Sequence, residues 1–324
     1  MLTEITPVSA NFPVVDFHIH FPVEGLDKQI TSFYDRYQEK YGARKRSVLE
    51  EWSKYYRKQW LLQWGFPDPA PPPGPGEGAR LWLEEARRWG VSRLVFVTGG
   101  GNRSLSQIIE QGEGVFSGFA HHPPESPGSA EELERCVKKL NFKGYKLFAP
   151  LVETPLCDPS LELLWETAEK FQLPVLVHFG ILGGGGGIAS GTNISPLSLE
   201  PVARAYPGIP FVVPHFGCGY LRELLQLCWS CANVYVDTSG NNEWLRWYPY
   251  PLTVRDLFHK FRETVGAQRI IFGTDSSWFP RGWAAAYFAE QFQACTALGF
   301  NQGEMSLVFG GTAERLLNGV KHHA

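Results

Sequence analysis

At 324 residues, with 44% hydrophobic and 14% aromatic side chains, the chain is long enough to bury a large core. Its formal net charge is −3, which argues against a basic footprint for nucleic acid or an acidic interaction tail. No signal-peptide pattern opens it and no apolar run approaches the ~18 residues of a membrane span, so a cytoplasmic protein with neither nucleic-acid nor membrane partner is expected. The six cysteines (Cys136, Cys157, Cys218, Cys228, Cys231, Cys295) are scattered. Only Cys228 and Cys231 have suggestive spacing, and they lie in a helix-like stretch with no second pair to complete a zinc knuckle, so they read as buried reduced thiols.

After a leader ending at Pro13, Val14 to Phe17 reads as a buried apolar strand running into His18-Ile19-His20. On an extended backbone those two histidines leave the same face. From about 21 to 78 the pattern changes. Ile30 to Trp64 is helix-like and rich in aromatics and charge, and a proline-rich run over 67–76 follows that fits neither helix nor sheet. This is expected to be a helical insertion leaning over one end of a single domain spanning 1–324.

A regular alternation then sets in. Helices are expected at Ala79 to Gly90, Ser104 to Gln111, Ala130 to Lys139, Leu161 to Phe171, Leu197 to Tyr206, Leu221 to Cys231, Val254 to Val265, Ala284 to Ala297 and Gly303 to Leu317. Strands are expected at Val91 to Thr98, Val115 to Ala120, Phe142 to Phe148, Pro174 to His178, Pro210 to His215, Asn233 to Thr238 and Arg269 to Asp275. With the first strand these make eight parallel strands joined by helical crossovers, an α/β chain whose closed form is the (β/α)8 TIM barrel. The rival, an open doubly wound sheet, wants a Gly-x-Gly-x-x-Gly turn, and Gly99-Gly100-Gly101 lacks that spacing.

Barrel chemistry occurs where the strands end. Strand 1 ends in His18 and His20, strand 5 in His178, strand 6 in His215 and strand 8 in Asp275. Each alone has a plain structural explanation, but together they crowd one rim with metal and proton-transfer groups. His18, His20, His178 and Asp275 suit one divalent ion, zinc foremost with manganese as the alternative, leaving a position for water whose pKa such an ion lowers towards ~7. His215 is then better cast as a proton-transfer residue.

Asp16-Phe17-His18-Ile19-His20, Val177-His178-Phe179-Gly180, Pro214-His215-Phe216-Gly217 and Phe272-Gly273-Thr274-Asp275-Ser276, in that order, resemble the amidohydrolase superfamily. The resemblance is to its amidohydrolase-related (amidohydrolase 2) branch, which includes enzymes like aminocarboxymuconate-semialdehyde decarboxylase. It implies His18, His20, His178 and Asp275 as metal ligands and His215 and Asp275 as catalytic residues. It also implies a hydrolase in which metal-activated water attacks a small, carboxylate-bearing substrate, with a metal-dependent decarboxylase (a carbon–carbon lyase) as the alternative, and a homodimer. A binding protein built on a disabled barrel is the non-enzyme alternative. The closing 309–317 resembles the branch's last helix, with Thr312 where the branch often has Asn.

Lys146 ends strand 4, where other superfamily members carry a carbamylated lysine bridging two metals. Here an unmodified lysine facing an anionic substrate group is the favoured reading. His121 and His122 end strand 3 and either could reach the pocket or serve structure. After strand 8, Arg281 offers a fork for a carboxylate and Trp278 a wall for a ring, against a packed loop with Arg281 in a surface ion pair. Gly183 to Gly187 suggests a pliable loop or lid beside the metal. Trp244, Trp247, Tyr248 and Tyr250 are candidates for the site or a dimer contact.

Overall fold

A computed structural model of the protein describes residues 10–23, 28–183, 187–189, 191–240 and 242–322. Eight strands pair in parallel, in sheet order β1 to β8. They are β1 (Val14–His20), β2 (Val91–Thr98), β3 (Phe116–His121), β4 (Gly144–Phe148), β5 (Val175–His178), β6 (Phe211–Val213), β7 (Val234–Asp237) and β8 (Ile270–Ile271). The ring closes through the chain just past β8. Phe17 N donates to Phe272 O at 3.1 Å, Asp275 N to His18 O at 2.8 Å and His20 N to Ser276 O at 2.8 Å. The expected TIM barrel is present.

Two apolar clusters separate the inside of the barrel from its outside. Val15, Phe17, Val95, Val97, Phe119, Leu176, Val212 and Ile271, from strands on opposite sides, pack together in the interior. Val14, Ile19, Leu94, Phe96, Tyr145, Leu147, Val175 and Val177 pack outward under the helices. Period-two alternation therefore carries Phe119 on to His121 and Leu176 on to His178, all facing inward. Strand β1 breaks that rule. Its pairing with β2 shifts register between Asp16 and Ile19, a bulge that lets Phe17 and His18 both turn inward while Asp16 and Ile19 stay outside.

Past α1 (Lys28–Tyr41) and α2 (Ala43–Trp64), eight helices follow the strands. They are α3 (Pro75–Trp89), α4 (Asn102–Glu110), α5 (Ser129–Leu140), α6 (Glu162–Lys170), α7 (Glu200–Ala205), α8 (Leu221–Ser230), α9 (Val254–Val265) and α10 (Ala285–Ala297). Helix α9 starts on a capping box: the Thr253 side chain accepts from Asp256 N while Asp256 accepts from Thr253 N. The last helical stretch is broken by a π segment at 307–311 into α11 (Gln302–Ser306) and α12 (Thr312–Asn318). Helix α12 plugs the interior with Ala313, Leu316 and Leu317.

Several boundaries differ from expectation for local reasons. The expected helix over 30–64 is split at Gly42, whose φ of +88° no helix accommodates. The proline-rich run ends inside a helix, because Pro75 occupies the first position of α3, where its missing N–H costs nothing. Strand β8 is only Ile270–Ile271, and β6 stops before His215. Residues 1–9 of the leader and 184–186 of the glycine run lie outside the described residues, so the loop or lid expected there is not described.

The insertion reaches the C-terminal rim at two places. Ile30 and Phe33 of α1 pack on Phe148, Leu182 and Ile188 beyond β4 and β5. Trp60 meets Trp278, Trp64 meets Tyr287, and Phe66 meets both Trp278 and Tyr287. Among the described residues, no helix is long and apolar enough to cross a membrane.

Candidate active site

At the rim, one donor atom each from His18, His20 and Asp275 lie within 4.8 Å of one another. His20 Nε2 is 3.1 Å and His18 Nε2 3.8 Å from Asp275 Oδ1. The opposite ring nitrogens are taken up elsewhere. His18 Nδ1 sits 2.6 Å from Asp237 Oδ2, and His20 Nδ1 2.6 Å from Thr98 Oγ1. A carboxylate accepts hydrogen bonds and does not donate them, so His18 carries its proton on Nδ1 and turns the Nε2 lone pair towards Asp275. The His18 ring is 1% exposed, His20 23% and Asp275 37%, which sets the trio at the boundary between core and mouth.

The surroundings keep His18 and Asp275 in ligand form. Burial, together with the Lys146 charge, holds His18 well below the usual histidine range, so it is neutral. Burial alone would raise the Asp275 carboxyl. The hydrogen bond from His20, with the neighbouring imidazoles, outweighs it and holds Asp275 well below the carboxylate range. Two imidazole nitrogens and one carboxylate oxygen suit a zinc- or manganese-type ion. His18, His20 and Asp275 thus form a group that could hold a metal.

His178 is the fourth expected ligand and stands slightly apart from that trio. Its Nε2 lies 3.0 Å from the Ile181 carbonyl, which fixes the proton on Nε2 and leaves Nδ1 as the donor. Burial holds it well below the usual histidine range. Its ring is 5.0 Å from that of His215, itself 5.2 Å from His18. His215 Nδ1 faces the Ser239 carbonyl at 3.0 Å, which leaves Nε2 as its other donor or acceptor atom. His215 and Asp275 both adopt φ of +58°, strained for a side-chain-bearing residue and a recurrent feature of functional sites. These turns aim both side chains inward after their strands have ended.

The remaining candidates divide clearly. Lys146 is fully buried, and its Nζ has no hydrogen-bond partner among the described residues. It lies 5.0 Å from the Phe148 ring centre. Burial pulls its pKa down to about 7, against the pull of Asp275 and Asp237. His121 Nδ1 is 3.0 Å from the Lys146 carbonyl and its ring packs on Phe148, which places it at the mouth. His122 turns outward, to the Ser129 carbonyl and Asn102. Among the described residues Arg281 forms no surface ion pair. It stacks 3.6 Å from the Trp278 ring centre and donates from Nη2 to the Asp275 carbonyl at 3.0 Å. Trp244 is buried, whereas Trp247 and Tyr250 are exposed.

Sequence reasoning passed over a supporting layer. On the outer face of β1, Asp16 accepts from His18 N and Thr274 N at 3.1 Å and from Trp283 Nε1 at 2.8 Å, tying β1 to the chain after β8. Thr98 and Asp237, each the last residue of its strand, support His20 and His18. The available signal was position alone, a polar residue closing an apolar strand.

A curated gamma-resorcylate decarboxylase from Polaromonas sp. is 23% identical over 215 residues, 54% of this chain and 64% of that protein. The chain thus spans a little under two thirds of that relative's length. A solved 5-carboxyvanillate decarboxylase from Novosphingobium aromaticivorans, with manganese and 3-methoxy-4-hydroxy-5-nitrobenzoic acid bound, aligns with TM-score 0.61 and 13% identity. That alignment covers 96% of this chain and 98% of the other. A probable 2-pyrone-4,6-dicarboxylic acid hydrolase from Acinetobacter baumannii gives TM-score 0.54 and 16% identity over 74% of this chain and 88% of the other. These structural likenesses bear on the fold. The sequence model described as "Amidohydrolase" matches residues 15–319, nearly the whole barrel, and the chain belongs to the amidohydrolase family.

Proposed function

We propose that this chain is a metal-dependent decarboxylase acting on a small aromatic carboxylate. The observation that carries the reading is the trio His18, His20 and Asp275 beside the buried, unpartnered ammonium of Lys146. An orphaned buried cation next to a divalent-ion site is matched by a substrate bearing a carboxylate and a neighbouring oxygen. The sequence alone points to hydrolysis first and decarboxylation second. The curated relative favours decarboxylation, since it is named a gamma-resorcylate decarboxylase.

His18, His20 and Asp275, joined by His178 through Nδ1, would hold one divalent ion. When bound, that ion would anchor the substrate's oxygens and offset their negative charge. The related structure containing manganese makes that metal as apt as zinc. Lys146 would face the carboxylate, and Phe148 and Trp278 would flank the ring. Decarboxylation replaces a C–CO2⁻ bond with C–H, so one proton must reach the carbon. His215, its Nδ1 committed to the Ser239 carbonyl, presents Nε2 as the site that carries this proton. Asp275, held anionic, serves as ligand.

The second reading remains hydrolysis, favoured by Asp275 being an anionic, 37%-exposed carboxylate positioned to take a proton from water. The deciding test supplies manganese or zinc to the enzyme with 2,6-dihydroxybenzoate, 5-carboxyvanillate and a dicarboxylate lactone in ¹⁸O-labelled water. Carbon dioxide release with no label in the aromatic product supports decarboxylation. Label in a new carboxylate without carbon dioxide establishes hydrolysis. Neither outcome with any substrate or metal would refute both.

A further inference from the structure

Strand β7 contributes no residue to the expected ligand set, yet its end makes the densest polar contacts at the site. Asp237 is fully buried at the last position of β7 and reaches His18 Nδ1 at 2.6 Å. Its other oxygen accepts from Ser239 N at 2.7 Å, and Ser239 Oγ donates back to Oδ2 at 3.1 Å. The same hydroxyl lies 3.0 Å from His18 Nδ1 and 3.1 Å from His215 Nδ1. The Ser239 carbonyl takes the His215 Nδ1 proton at 3.0 Å. One three-residue turn therefore touches both the metal-side histidine and the proton-transfer histidine.

The surrounding glycines leave just enough room for this turn. A Cβ on Gly273 would sit 2.9 Å from Asp237 Oδ1, 2.9 Å from His18 Cβ and 3.0 Å from Ser239 Cβ. A Cβ on Gly240 would come 2.9 Å from His215 Nδ1. Glycine at both positions thus leaves free the space that these side chains occupy.

We propose that Asp237, braced by Ser239, is the positioning residue of the site: it fixes His18 with the proton on Nδ1 and the Nε2 lone pair on the metal side, while the Ser239 carbonyl fixes His215 in the same tautomer. Neither residue touches the reacting atoms. Asp237 sets the aim of His18, and Ser239 holds the two imidazoles in a common frame, so the end of β7 coordinates ligand and proton carrier. A carboxylate behind a metal-bound imidazole commonly changes metal affinity 10–100-fold when removed. The proposal rests on the metal-site reading above.

The test compares manganese affinity of wild type and Asp237→Asn by competition with a chromophoric chelator, alongside the ¹⁵N spectrum of histidine-labelled, metal-free wild type. The expected results are a roughly 10–100-fold weaker site in the variant, and His18 and His215 both as Nδ1–H tautomers, His18 with a strongly downfield N–H proton. Equal affinity in the folded variant and wild type overturns the positioning role while leaving the metal site intact. Should the variant not fold, the wild-type spectrum decides, and an Nε2–H tautomer at His18 overturns the proposal. A wild type that takes up no metal removes the metal-site reading and this inference with it.

Discussion

Arg281 Nη2 lies 3.0 Å from the carbonyl oxygen of Asp275 while its guanidinium stacks on Trp278. Asp275 sits at φ +58°, so that bond braces a strained turn. Phe66, past the end of α2, packs within 5.1 Å of the same guanidinium, which links the insertion to the loop after β8. Lysine has neither the planar fork nor the stacking face of arginine. Arg281→Lys should therefore lower kcat/KM by about tenfold, the cost of a lost charge-assisted hydrogen bond. Kinetics on metal-saturated enzyme checks this, and an unchanged kcat/KM would dismiss the brace.

The ligand assignment predicts metal content directly. Wild type purified without chelator should carry about one divalent ion per chain, as one trio plus His178 would hold. His18→Ala and Asp275→Asn should each reduce it to near zero, measured by inductively coupled plasma spectrometry. His178→Ala, removing the donor that stands apart from the trio, should lower the content less. Two ions per wild-type chain would instead mark Lys146 as a bridging group.

Lys146→Met keeps the volume and removes the ammonium. If Lys146 meets the substrate carboxylate, KM should rise by about 10-fold or more, since a hydrogen bond to a charged group contributes about 1.5–3 kcal/mol. Metal content should stay at the wild-type level. Because the methionine leaves no orphaned buried cation, the melting temperature should hold or rise. A normal KM would place the carboxylate elsewhere.

Away from the site, Glu132 links helix α5 to Asn102, whose side-chain oxygen in turn holds His121 N. The hydrogen bonds from Arg135 are the main reason its carboxyl is lowered to about 2, with Asn102 adding to the effect. A carboxyl whose folded pKa lies below its unfolded value stabilises the protein above the unfolded pKa, and the benefit is lost as pH falls through the folded one. The melting-temperature advantage of wild type over Glu132→Gln should thus be full above pH 4.5 and shrink towards pH 2. A constant difference across that window would show that the ion pair contributes nothing through titration.

Much of the architecture was legible because barrel strands announce themselves. Val91 to Thr98 and Val254 to Val265 are a buried apolar run and a 3.6-period helix whose local patterns suffice. Breaks such as Gly42 and the π segment at 307–311 depended on one backbone angle or one packing contact, which composition does not carry. The histidines of β1, β5 and β6 and Asp275 were readable because each closes a strand or follows its end, and strand ends share one rim.

The sequence by itself determined the alternation of strands and helices and the donor types carried to that rim, since both follow from residue order and period. Only the tertiary structure decided which nitrogen of each histidine faces inward, that the bulge in β1 turns His18 into the barrel beside Phe17, and that Arg281 braces Asp275 instead of standing free. Tautomer and aim depend on which hydrogen-bond partner stands behind each ring. Those partners, Asp237 behind His18 and Ser239 behind His215, stand at and just past the end of β7, one 219 and the other 24 residues along the chain from its histidine, and come within about 3 Å only when the barrel closes.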